Sequence, residues 1–224
     1  MNVIVFASRK GGTGKSTLAA HLAAHIHKPS KPCLLIDSDP QGSLTLWHRL
    51  RETGEPPIKN GLRGINELIK GAKKEGYEWV FIDTAPQMSA IVTDAIKAAT
   101  LVVIPARPSV FDLHAIKETI ETARRVHRPF AVVLNATPPK RQDQEAPSVI
   151  QARESLASID APVWSGQITH RAAFSLALGE GEGVREFDAD SYAAGEIARL
   201  WTAIEKSVKA VNGASGSSMQ QKAA

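Results

Sequence analysis

Five short runs along the chain are apolar at odd and even positions alike: NVIVFA (2–7), CLLID (33–37), WVFID (79–83), LVVIP (101–105) and FAVVL (130–134). A strand with one wet face alternates apolar and polar residues, so runs without alternation predict strands covered on both faces, as in a parallel sheet. Between them the spacing changes. Leu18, Leu22 and Ile26 recur every four residues, Leu62, Ile65, Leu68 and Ile69 form a second stripe, and Ile116 and Ile120 lie in a third. These have helical period. Strand and helix in alternation predict an α/β fold, a doubly wound and mostly parallel sheet flanked by helices. Further on, Ile197, Leu200, Trp201, Ile204, Val208 and Val211 predict a long amphipathic helix whose stripe faces the sheet. The sequence after it, NGASGSSMQQKAA, is small and polar, which predicts one domain over 1–211 and a disordered tail over 212–224.

Composition adds exclusions. The chain has 224 residues, 43% hydrophobic and 22% charged, enough for a real core. No apolar run reaches the ~20 residues that cross a bilayer, and nothing has the order of a signal peptide, so a cytoplasmic protein is expected. A single cysteine, Cys33, makes no internal disulfide and no cysteine-ligated cluster. Net charge is +4, with residues 107–141 the most basic stretch. His21 and His25 sit one helical turn apart in HLAAH, without the glutamate of a metalloprotease helix.

The chemistry concentrates after the first apolar run, where Arg9-Lys10-Gly11-Gly12-Thr13-Gly14-Lys15-Ser16-Thr17 leads into a helical pattern. Glycines let successive N–H groups form an anion nest, and the helix N-terminus adds its positive dipole end. Lys15 can reach the β- and γ-phosphates of a nucleotide, and the Ser16 hydroxyl can bind Mg²⁺. The strict pattern G-x-x-x-x-G-K-[ST] has Arg9 at its first position, and an extra lysine, Lys10, precedes the glycine pair. A dinucleotide fingerprint competes, since Asp37 ends the next run 23 residues after Gly14, but Thr17 stands where its third glycine belongs.

Lys10 to Thr17 resembles the deviant Walker A motif, KGGxGK[ST], of the ParA/MinD family of ATPases. Ile36-Asp37-Ser38-Asp39-Pro40-Gln41-Gly42-Ser43 is similar to that family's second motif, and Phe81-Ile82-Asp83-Thr84-Ala85-Pro86 to its Walker B. The likeness continues through Pro105-Ala106-Arg107-Pro108-Ser109 and Ile168-Thr169-His170-Arg171. The resemblance implies ATP and Mg²⁺ as ligands, held by Gly11, Gly12, Thr13, Gly14, Lys15, Ser16 and Thr17, with Asp83 and Ser16 at the metal and Asp37 near it. It implies that Asp39 orients the attacking water, that Lys10 reaches across to a partner subunit's nucleotide, and that Asn135 reads the adenine.

Within the family, one cysteine excludes the iron protein of nitrogenase, and Gly213–Ala224 has no apolar face for a membrane anchor. A short ParA-type partition or positioning ATPase is expected: a homodimer with ATP, nucleoid-associated through non-specific DNA binding, working with a ParB-like or cargo-adaptor protein. Arg171 by position, and Arg199, Lys206 and Lys209 on one side of the last helix, are the candidate DNA contacts. Two other readings stay open: a CbiA-like amide ligase that activates a carboxylate with ATP, and a scaffold that binds ATP with little hydrolysis.

Overall fold

The computed structural model describes residues 1–62 and 64–222, with side chains through residue 214. The five apolar runs are strands: β1 (Asn2–Phe6), β2 (Cys33–Ser38), β4 (Trp79–Thr84), β5 (Leu101–Ala106) and β6 (Phe130–Leu134). A sixth, β3 (Ile58–Asn60), sits at one edge. The sheet order is β3-β2-β4-β1-β5-β6, and every pairing is parallel. Register fixes the chemistry. Asp37 on β2 lies beside Asp83 on β4, and Asp83 lies beside Phe6 on β1, so the phosphate loop leaves the sheet next to both carboxylates.

Side chains of successive strand residues go to opposite faces, which divides the core in two. Ile4, Phe6, Leu35, Phe81 and Val103 face α1 (Lys15–Ile26), α2 (Ser43–Leu50), α7 (Ala172–Gly179), α8 (Val184–Phe187) and α9 (Tyr192–Lys222). Val3, Val5, Ile36, Ile82 and Ile104 face α3 (Ile65–Lys74), α4 (Ala90–Ala98), α5 (Val110–Arg125) and α6 (Pro147–Ala157). The stripe of α9 is core-facing as expected: Ile197, Leu200, Ile204 and Val208 are buried, and Trp201 meets Trp79 edge-on with ring centres 4.7 Å apart. The helix bounds extend to Lys222, so they take in most of the segment expected to be a tail. Asn212 ties that end to the sheet by donating to Asn2 Oδ1 at 3.0 Å.

Candidate active site

The C-terminal ends of β1, β2, β4, β5 and β6 converge on one crevice, the place where parallel α/β sheets bind ligands. The strand ends are cross-tied there. Ser38 donates to the carbonyl of Asp83 at 2.6 Å, and Thr84 to that of Phe6 at 2.8 Å. The loop from Ser8 then turns directly into α1, whose N-terminus has no side-chain cap. Its first N–H groups are therefore available to an anion. Gly14 precedes that helix with φ 97°, and a Cβ there would lie 2.1 Å from Asn135 Nδ2, so only glycine fits.

Lys15 is buried at the foot of the loop, where burial holds its ammonium below the ordinary value while Asp83 and Asp39 pull it back up. Asp83 is fully buried, and neither carboxylate oxygen has a hydrogen-bond partner among the described residues. Desolvation pushes it up to about 7, with Ser16 and Lys15 opposing the rise. A buried carboxyl with two orphaned oxygens beside a serine hydroxyl fits a hard cation. Among the described residues no group of three His, Cys, Asp or Glu side chains is arranged to hold a metal ion by itself.

Asp37 is engaged already. Its Oδ1 accepts the N–H of Asp39 at 3.1 Å, and its Oδ2 accepts the backbone N–H and hydroxyl of Thr45 at 2.8 and 2.6 Å. In this geometry it holds the loop into α2. Asp39 is half-buried on that loop, and its Oδ1 accepts the N–H of Gln41 at 2.9 Å. Lys10 donates to Asp112 Oδ2 at 2.6 Å, and the same oxygen accepts the hydroxyl of Ser109, the N-cap of α5. Arg9 pairs with Glu118.

Two donors from neighbouring strand ends clamp successive loop carbonyls. Asn135 Nδ2 donates to Thr13 O at 2.6 Å, and Arg107 Nη2 to Gly12 O at 2.5 Å. Both line a cavity of about 190 Å³ with Gly14, Thr17, Ile168 and Phe174, beside the loop and open toward Arg171. Thr17 and Asn135 thus line one cavity, with one N–H of the Asn135 amide given to the loop.

The basic residues expected to meet DNA are less uniform than their spacing implies. Arg171 is held by the buried Glu196, whose Oε1 accepts from its Nη2 at 3.0 Å and whose Oε2 accepts the N–H of Thr169. Lys209 lies 3.4 Å from Glu205. Arg199 and Lys206 are exposed. His21 is buried, its Nδ1 accepts the N–H of Val184 at 3.0 Å, and desolvation lowers it to about 4. Sequence reasoning gave no role to Asp112, Glu196 or the Arg107 clamp. For Asp112 a signal existed, since Ser109 with an acid three residues on marks a capped helix start; the other two depend on long-range contacts.

Fold and site together define a P-loop nucleotide-binding α/β protein. The CobQ/CobB/MinD/ParA nucleotide-binding domain matches residues 4–184, and the chain belongs to that family. It is 30% identical over 155 residues to the chromosome-partitioning ATPase Soj of Thermus thermophilus, covering 55% of this chain and 61% of that protein. It is 29% identical over 218 residues to the maintenance of carboxysome distribution protein A of Gloeobacter kilaueensis, covering 89% and 95%. Its fold matches the septum site-determining protein MinD of Pyrococcus horikoshii, solved with Mg-ADP, at TM-score 0.72 and 16% identity over 92% of this chain and 96% of that one.

Proposed function

We propose that this chain is a partition or positioning ATPase that binds Mg²⁺-ATP, hydrolyses it, and dimerises in the ATP state. One observation carries the reading: a buried lysine and a buried, unpartnered carboxyl flank the uncapped N-terminus of a helix at the sheet's switch point. Backbone amides of residues 11–16 and Lys15 bind the β,γ-phosphate oxygens. Ser16 and Asp83 hold Mg²⁺, with Asp37 fixing the adjoining loop. The ion, when bound, supplies positive charge to the phosphate oxygens. Asp39 orients water, which is much of what phosphoryl transfer asks of a protein beyond charge neutralisation.

Similarity to proteins named for chromosome partitioning and carboxysome distribution supports the cargo-moving role. In that role the ATP dimer binds DNA without sequence preference, through exposed cations such as Arg199, Lys206 and Lys209, and a ParB-like or adaptor protein stimulates turnover. Phosphate release is measured with Mg²⁺-ATP, and binding to random duplex by mobility shift with and without ATP. Slow Mg²⁺-dependent release and an ATP-dependent shift are expected. Turnover without any DNA shift at low salt would transfer the reading to the amide ligase or the scaffold.

A further inference from the structure

We propose that Arg107 is a phosphate ligand of the nucleotide in its own subunit, a second cation beside Lys15; the proposal rests on the ATP reading above. The cations around the loop sort into two groups. Arg9 is paired with Glu118, Lys10 with Asp112 and Arg171 with Glu196. Among the described residues, no such carboxylate partner is seen for Lys15 or Arg107.

Arg107 leaves the end of β5, is exposed, and lies against the phosphate loop. A Cβ built on Gly12 would stand 3.4 Å from its Nη2, so the guanidinium rests on bare backbone. One of its five N–H groups is used, on the carbonyl of Gly12. A neutral amide is enough to clamp a carbonyl of this loop, because Asn135 does so one residue further on. The positive charge of Arg107 is therefore in excess of what a clamp needs. A polyphosphate offers that charge acceptors stronger than a backbone carbonyl. Arg107 also lines one cavity with Gly12, Gly14 and Thr17, three residues expected to hold the nucleotide.

Two substitutions separate clamp from charge. Arg107→Gln keeps an N–H donor for Gly12 and loses the charge; Arg107→Lys keeps the charge. ATP affinity is measured by calorimetry for both, for Arg107→Ala and for the parent protein, over a series of KCl concentrations, with thermal midpoints confirming that each variant is folded. The expected result is about tenfold weaker binding for Ala and Gln, within about threefold of the parent for Lys, and a gap that narrows as salt rises. Gln at parental affinity, or Lys no better than Ala, overturns the proposal and leaves Arg107 as a loop clamp. A folded parent protein that binds no ATP overturns the function reading itself, and this inference with it.

Discussion

At the scale of single residues, the site is a balance of buried charges. Lys15→Ala removes a buried cation that acts on Asp83, and calorimetry should then detect no ATP binding, since the phosphate charge is left without that counterion. Asp39→Ala should keep Mg²⁺-ATP affinity and lose turnover, so that sedimentation at saturating ATP shows the dimer accumulating. Lys10→Ala should do the reverse and stay monomeric with ATP. In the isolated chain Lys10 is held by Asp112, so reaching a partner's phosphates requires that ion pair to open first. His21 sets a pH dependence. Its folded value of about 4 lies below the ordinary 6.5, so the unfolded chain takes up a proton first and stability falls as pH drops from about 6.5 toward 4. The loss is roughly 3 kcal/mol at most. Asp83 works in the opposite sense, its stabilising contribution being lost as pH rises from about 4 through 7. Comparing thermal midpoints of the parent and His21→Gln across this range isolates the histidine: the variant should lose less stability in acid.

At the scale of elements, one arginine joins pieces that are far apart in sequence. Arg51, just past α2, makes a two-pronged pair with Glu186 of α8 at 2.8 Å on both prongs, donates to the carbonyl of Gly181, and stacks 4.8 Å over Trp47. Arg51→Ala should cost about 2 kcal/mol, discounted because Glu186 is partly exposed, and lower the thermal midpoint by about 4–8 °C. That junction could not be read from the chain, since its partners lie 130 and 135 residues away. The strands could be, because burial on both faces writes itself as unbroken apolar runs. β3 escaped for the opposite reason: Ile58-Lys59-Asn60 lies at the sheet edge and is only partly covered. The phosphate loop was legible because its work is done by residues adjacent in sequence. Arg107 and Asp112 act on it across 95 and 102 residues, and no local pattern carries such a contact.

At the scale of the whole molecule, the excess charge is modest, so DNA binding should depend on a few phosphate contacts and weaken steeply with salt. Mobility shifts on random duplex with ATP should fade as KCl is raised from about 50 to 200 mM. Lys206→Glu should weaken them at constant ATP affinity, a cleaner probe than Arg171, whose charge already belongs to Glu196. The sheet order also bears on how the molecule comes into being. β1 lies in the middle, flanked by Trp79–Asp83 and Leu101–Val103, so the earliest strand made waits for partners made much later. At about 5–20 residues per second of synthesis, that wait lasts several seconds or more. During it the apolar residues of β1 have no sheet to enter, and apolar surface exposed in this way is prone to aggregate. A ribosome stalled before Leu101 would hold a polypeptide with every residue of the phosphate loop and neither Arg107 nor Asn135 to clamp it.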